Sequence, residues 1–308
     1  MYYNPYEIIT NETNKNMQWM KSNFHMHAGV GIKGDCGEFP TREVVDAYAQ
    51  AGYKVLAVTN HNTHIPYATE RDDISLINGV EYSHIAHMVL LGTDRFEDIN
   101  HQEAIDRTVA NGGFVVLCHP NWYWENREHW SLEMLEQVTG YTGLEIINMG
   151  AYNPNNWGSG SGLALDKWDY LLTAGRKVWG FGTDDFHYWN DMDKAFNMIY
   201  AKSGAYADVK EAVEFGRFYV STGVVELERF SFKGGRISVK AKLAIPTYSD
   251  TFEYRFIGTG GKLLYEVTGR DAEYMVDPAE RYVRVEVTVD YGAKIYLQPV
   301  LNMRYFKI

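Results

Sequence analysis

The chain is predicted to be an α/β protein in which strand–helix units wrap into a closed or nearly closed barrel, followed by a small antiparallel β domain. Three observations carry this. Short apolar runs alternate with helical intervals as far as residue 223, the rhythm of βα units. From Arg229 to Ile308 only β-type runs occur, separated by Gly-Gly and Asp/Pro turns. Several runs of the first part end in a histidine or a carboxylate, as expected where a barrel gathers its chemistry at the C-terminal ends of its strands. The boundary is placed between 225 and 226, giving units 1–225 and 226–308.

Taken in order, the first strand carries Asn23-Phe24-His25-Met26-His27. A period of two turns both histidines to one face and sends Phe24 and Met26 into apolar packing. A glycine-rich loop, Gly34-Asp35-Cys36-Gly37, leads to a helix with Thr41 as N-cap, Val44, Val45, Tyr48 and Ala49 at helical spacing, and Gly52 as its stop. Val55 to Thr59, Ile77 to Tyr82, His87 to Leu91, Phe114 to Cys118, Gly143 to Ile147 and Val178 to Gly182 read as buried strands, with Phe196 to Tyr200 a late addition. Helical intervals fall at Gln102 to Ala110, Leu132 to Val138, Leu165 to Ala174 and Asp208 to Phe215, each followed by a glycine stop. Trp157-Gly-Ser-Gly-Ser-Gly162 is a flexible loop long enough to act as a lid. Beyond Gly223 the runs Arg236 to Leu243, Phe252 to Ile257, Lys262 to Val267, Tyr282 to Val289 and Lys294 to Val300 predict an antiparallel sandwich without a metal-capable cluster.

Composition narrows the function. With 29 basic against 40 acidic residues the net charge is −11, and no Lys/Arg run is present to track a phosphate backbone. Long nucleic acid is therefore not an expected partner. A small anionic substrate stays open, because bound divalent cations invert the local field. Cys36 and Cys118 form no paired pattern, which fits a reducing, cytoplasmic compartment. No apolar run approaches the roughly 18 residues that a membrane helix needs.

The strand ends hold the chemistry. They deliver His25 and His27, then Asn60 and His61, then Glu81, His119, Glu145 with Asn148, and finally Asp184, Asp185 and His187. His87 departs from the rule by opening its run, although it shares strand parity with Glu81. Mixed imidazole and carboxylate ligands suit Zn, Mn or Fe, and this many exceed what one tetrahedral ion uses. Two or three divalent ions are expected.

As an ordered set, these pieces resemble the PHP (polymerase and histidinol phosphatase) superfamily of metal-dependent hydrolases. The matching pieces are His25-Met-His27, the Gly34 to Gly37 loop, Thr59-Asn60-His61-Asn62-Thr63, Gly79-Val80-Glu81, His87-Met-Val-Leu-Leu-Gly92, His119-Pro120 and Gly182-Thr-Asp-Asp-Phe-His187. The ending Gly216-Arg-Phe-Tyr-Val-Ser-Thr-Gly223, followed by a β domain that finishes near Gln298-Pro299, is similar to the branch labelled CehA/McbA-like.

The resemblance implies a distorted seven-stranded βα barrel. It implies one metal held by His25, His27, Glu81 and an aspartate of the last motif, with Asp185 favoured over Asp184. A second ion would share Glu81 with His87 and His119, and a third would sit on Asp35, His61 and His187. Asn60 stands where the family usually has aspartate, a position that could orient His61. His84 competes with His87 but has the wrong parity. His64, His101 and His129 are assigned to surface or rim positions without metal. Glu81, Asp185 and His187 are the expected catalytic residues, and Asn148 is an expected substrate contact. Arg127 is preferred to Arg176 and Arg217 as a cation for a phosphate group.

The leading expectation is a hydrolase that uses water activated by the cluster on a small-molecule phosphoester. The alternative is a carboxylic ester or carbamate hydrolysed by the same cluster. A third reading, a carbohydrate-binding protein, draws on Trp122, Tyr123, Trp124, Trp130 and Trp157 as stacking platforms.

Overall fold

The structure, a computed structural model, describes residues 1–10, 16–32, 35–152, 159–245, 251–290 and 292–306. The first part comprises β1 (Tyr2–Tyr3), β2 (Gln18–Asn23), α1 (Thr41–Gln50), β3 (Tyr53–Val58), β4 (Ser75–Ser83), β5 (His87–Leu91), α2 (His101–Ala110) and β6 (Phe114–Leu117). It continues with β7 (Trp122–Trp124), β8 (Arg127–Glu128), α3 (Leu132–Gln137), β9 (Gly143–Asn148), α4 (Met149–Tyr152), β10 (Ser159–Gly160), α5 (Leu165–Thr173), β11 (Trp179–Thr183), β12 (Phe196–Ala201), α6 (Tyr206–Glu214) and β13 (Phe218–Ser221). Strands alone follow: β14 (Val225–Lys233), β15 (Arg236–Leu243), β16 (Phe252–Gly258), β17 (Lys262–Gly269), β18 (Asp271–Met275), β19 (Tyr282–Thr288), β20 (Lys294–Leu297) and β21 (Val300–Asn302).

A large mixed sheet runs in the order β1-β21-β19-β20-β13-β12-β2-β3-β4-β5-β6-β9-β11, with β16 and β17 attached to β19. Not all of its units are parallel, as had been expected. β2, β3 and β4 are parallel, and so are β6, β9 and β11. Between the two sets β5 runs antiparallel to both neighbours. The cause lies in chain length: only His84, Ile85 and Ala86 separate Ser83 from its ladder partner His87, and a parallel return needs a crossover of a dozen residues or so.

The strand path does not close on itself. Among the described residues no ladder joins β11 to β12. Two side-chain amides occupy that edge instead. Asn197 accepts from Gly182 N at 3.0 Å and donates to Gly182 O at 2.8 Å. Gln298 does the same for Gly180, at 3.0 and 2.7 Å. Each amide stands in for a strand residue and satisfies backbone groups whose burial would otherwise be costly.

Helices cover the sheet through one apolar stripe each. In α1, Val44, Val45, Tyr48 and Ala49 are buried as expected, and each large side chain contributes about 1.5–3 kcal/mol on full burial. Pro40, not Thr41, occupies its N-cap position, and no side chain caps the helix. Proline there presets the backbone and leaves Thr41 as the first helical residue. A separate apolar cluster lies between the β14-β15-β18 sheet and β16 and β19, built on Phe230, Val239, Tyr254, Phe256 and Val285. The strands β14 and β18 were not resolved as runs in the sequence. The expected lid includes Trp157 and Gly158, and the glycine-rich loop includes Gly34; these three lie outside the described residues. No helix among the described residues is long and apolar enough to cross a membrane.

Candidate metal centre

β2 ends at Asn23, so His25 and His27 lie just beyond it and not within it. The extended path nevertheless continues. Met26 bridges to Phe186, His27 N donates to Phe186 O at 2.9 Å, and Thr59 N donates to Met26 O at 2.9 Å. The alternation therefore persists, with Phe24 and Met26 in apolar clusters and both imidazoles turned to the opposite side. Asn60 secures this segment by accepting from Ala28 N at 3.0 Å and donating to Ala28 O at 2.9 Å. An aspartate could accept but not donate, so the amide has its own purpose here, with both of its side-chain hydrogen bonds on Ala28.

The strand directions explain where the other side chains meet. His61, Glu81, His119 and Asp185 follow the C-terminal ends of β3, β6 and β11 or lie near the end of β4. Because β5 is reversed, its first residue, His87, reaches that same rim. His25 Nε2 lies 3.3 Å from Glu81 Oε1 and 3.2 Å from Asp185 Oδ1. His27 Nε2 lies 3.5 Å from Glu81 Oε2 and 3.3 Å from the same Asp185 oxygen. His87 Nδ1 and His119 Nε2 approach Glu81 Oε1 at 3.0 and 3.5 Å.

These atoms fit a divalent ion. His25 Nε2, His27 Nε2 and Asp185 Oδ1 are buried and have no hydrogen-bond partner, and Glu81 Oε2 beside them makes no hydrogen bond although it lies against His61 Nδ1, a costly arrangement of polar atoms at one point. Their spacings match the roughly 3.0–3.5 Å between donors that share an ion with bonds of about 2.0–2.2 Å. The other ring nitrogens are held. His25 Nδ1 donates to Glu145 Oε1 at 2.7 Å, which leaves Nε2 as the lone-pair donor. Glu145 is itself fully engaged, accepting also from Thr183 Oγ1 at 3.1 Å and from His119 N and Asn148 Nδ2 at 2.7 Å each.

Charge in the cradle is strongly coupled. Burial works against ionisation of Glu81, yet His61, His25 and His87 hold its carboxyl well below the usual range. Burial is likewise outweighed at Asp185, where His25, His187 and His27 keep the carboxyl well below its ordinary value. Burial raises the Cys36 thiol, but His187, His27 and His61 bring it down to about 4. His129 moves the other way, lowered by burial and then by its neighbours His119 and His87.

Two donor groups flank the cradle. On one side the ligand atoms of His87, His119 and His129 lie within 4.8 Å of one another. His129, read from the sequence as a surface or rim residue, is buried at 1% exposure. On the other side His27, Cys36, His61 and His187 gather within the same distance. Asp35 is beside them at the cavity wall, with its carboxylate engaged: it accepts from His61 N at 2.9 Å and Gly37 N at 2.9 Å, and meets His27 Nδ1 at 3.1 Å.

The neighbouring aspartates separate cleanly. Asp184 accepts from Tyr48 Oη and from the backbone N–H groups of Asp193, Lys194 and Ala195 at 2.8–2.9 Å, so it ties down the following loop. Asp185 alone faces His25 and His27. Asn148 does not reach the cavity; it is fully buried and donates to Glu145 and to Asp185 Oδ2, the latter at 3.1 Å. Of the three arginines considered, Arg127 lines the cavity. Arg176 donates to the carbonyls of Leu135, Glu136 and Val138, and Arg217 pairs with Glu211. His101 is half-buried and donates to Ala86 O, and His84 pairs with Asp98 at 3.1 Å.

The cavity measures about 670 Å³, the size of a small-molecule site. Glu81, Asp185, His187, Cys36 and Arg127 line it, with Trp122, Trp124 and Tyr188 among its aromatic residues. Trp130 is core, its Nε1 donating to His87 O at 2.7 Å. Cys36 and His129 are the donors that sequence reasoning did not place in the cluster. For Cys36 the signal was its position in the glycine-rich loop beside Asp35; for His129, the short aromatic hairpin β7–β8 that follows His119.

No family profile matches the chain, and no curated protein does. Among solved structures it is similar to a two-domain protein containing a predicted PHP-like metal-dependent phosphoesterase from Bacteroides vulgatus ATCC 8482, with a TM-score of 0.54 and 16% identity. The match covers 92% of this chain and 96% of that one. Across nearly its whole length, the chain therefore shares the fold of a two-domain PHP-like protein.

Proposed function

We propose that this protein is a metal-dependent hydrolase of small molecules, with phosphoesters as its preferred substrates. The observation that carries this reading is the buried convergence of His25, His27, Glu81 and Asp185, whose imidazole Nε2 atoms stand 3.2–3.5 Å from the carboxylate oxygens without a hydrogen bond of their own. His25, His27, Glu81 and Asp185 would hold one ion. Glu81 with His87 and His119 would hold a second, and His61 and His187 would contribute to a third. Divalent ions bound there, Zn, Mn or Fe, supply a water of lowered pKa and offset charge on the bond under attack.

The chain's own residues supply the rest. Glu81 stands between the sites and sets their separation. Glu145 fixes the His25 tautomer and, through His119 N, the position of the second group. Arg127, steadied by its hydrogen bond to Ile85 O, offers the cavity a cation suited to a phosphate oxygen. The aromatic rim of Trp122, Trp124 and Tyr188 supports a substrate with an apolar or aryl portion, which keeps an aryl ester or carbamate as the second reading.

We also read the chain as two units, 1–225 forming a distorted barrel whose open β11 edge is met by Asn197 and by Gln298 of the second unit, and 226–308 forming a sandwich. The separate apolar cluster under β14 to β19 supports this. The two free cysteines support a cytoplasmic setting. The test is to load purified protein with Zn²⁺ or Mn²⁺ and screen phosphomonoesters, phosphodiesters, carboxylic esters and aryl carbamates. Hydrolysis of a phosphoester, read as released phosphate for monoesters and as released alcohol for diesters, is expected to be abolished by a chelator and restored by metal. Carbamate or carboxylic ester turnover without hydrolysis of any phosphoester would reject the phosphoester preference.

A further inference from the structure

The resemblance implies Asp35 as a ligand beside His61 and His187, but Asp35 is otherwise engaged. Its side chain is fully buried. One oxygen serves His61 N and His27 Nδ1, and the other serves Gly37 N. A carboxylate with both oxygens committed to protein donors is a positioning group: it orients His27 and closes the turn that leads to Gly37.

The next residue turns its sulfur to the histidines instead. Cys36 is a free cysteine that lines the cavity, and its sulfur is grouped with ligand atoms of His27, His61 and His187. His27 is already accounted for, with Nδ1 on Asp35 and Nε2 facing Glu81 and Asp185. His187 Nδ1 donates to Asp185 O at 2.7 Å, leaving Nε2 as its ligand atom. His61 Nδ1 lies against Ser83 Oγ and Glu81, so its Nε2 is the donor that remains. The His27 ring sits 4.4 Å from both the His61 and the His187 rings, so the two pack around it.

On the reading above that this cluster binds metal, we propose that Cys36, His61 and His187 form a sulfur-containing metal site, with Asp35 as its support and not its ligand. One thiolate and two imidazoles make a three-donor set that leaves a position open to an incoming oxygen. A soft donor also biases the site toward Zn²⁺, Co²⁺ or Fe²⁺ and away from Mn²⁺ or Mg²⁺.

Cobalt substitution tests this, because Co²⁺ bound to thiolate gives a near-ultraviolet charge-transfer band that nitrogen and oxygen ligands do not. The protein as purified is stripped of metal, titrated with Co²⁺, and its bound metal counted. Wild type and Asp35→Asn are expected to show the band. Cys36→Ser is expected to lose it together with one metal equivalent, and Cys36→Asp to regain that equivalent with a preference shifted toward Mn²⁺. Thiol labelling gives a measurement on wild type that does not depend on a variant folding. Cys118 is fully buried, so one thiol should react in the stripped protein and be shielded once Co²⁺ is bound. Full cobalt binding without the band, and with Cys36 still reactive, would overturn the thiolate site while leaving the metal-dependent reading intact. Failure to bind cobalt at all would overturn both.

Discussion

Glu145 shows how much a single buried residue sets at this centre. Its two oxygens take donors from His25, Thr183, His119 and Asn148, so the ring orientation of His25 and the backbone position of His119 depend on it together. Replacing it by glutamine keeps the shape but puts an amide where acceptors are required. Glu145→Gln is expected to weaken metal binding by roughly 10–100-fold, the usual effect of losing a partner behind a ligating histidine. Competition with a chelator would measure this, with circular dichroism checking that the fold is unchanged. The convergence of His25, His27, Glu81 and Asp185 was legible because they sit at or near strand ends, where alternation and position together make a residue conspicuous. Glu145 was legible as a strand-end carboxylate, but its role was not, since a sequence does not say which histidine a carboxylate faces. Cys36 and His129 lie in loops without a period, so nothing in the pattern directed them inward.

Among the elements, β5 shows a signal that was present and could have been read. The three residues between Ser83 and His87 exclude a parallel return, and with β5 reversed the anomalous His87 becomes an ordinary rim residue. The amide-sealed edge of β11 was not legible, because Asn197 and Gln298 lie 15 and 118 residues from the glycines they satisfy. Gln298→Ala leaves Gly180 N and O buried without partners, so a loss of about 1–3 kcal/mol per group is expected, read from urea unfolding.

Helix α2 carries a pH response. His101 opens that helix, and burial, with smaller contributions from His84 and Arg127, lowers its pKa below the ordinary 6.5 against the hydrogen bond to Ala86. A charge at a helix N-terminus is further disfavoured by the macrodipole. The unfolded chain therefore binds this proton more readily. His101's contribution is complete above about pH 6.5 and is lost as pH falls through the lowered value. His101→Gln, which can still donate to Ala86, is expected to reduce the drop in Tm between pH 7 and pH 5 seen in wild type by calorimetry.

At the scale of the molecule, the large sheet passes without interruption from β12 and β13 into β20 and β19, and a buried ion pair reinforces the join. Arg284 on β19 makes a bidentate contact with Asp169 on α5, at 2.7 Å for each nitrogen, and a further bond to Glu286. Arg284→Ala leaves Asp169, which is 6% exposed, with the Tyr282 hydroxyl but without its counter-charge, and is expected to cost about 3–5 kcal/mol. The double variant Asp169→Leu with Arg284→Met should recover much of that in the same denaturation experiment.

The amides on β11 also govern the timing of assembly. Every side chain of the cradle has been synthesised once His187 emerges, yet the edge of the strand that presents Asp185 is completed by Gln298. That same residue's N–H rests on Tyr6 Oη at 2.7 Å, and Tyr2 pairs with Asn302. Contacts of such long sequence separation make for slow folding. From the emergence of His187 until that of Gln298 a nascent chain therefore carries these side chains without the full edge of the strand behind Asp185, which is complete only when the segments around Tyr6 and Gln298 meet.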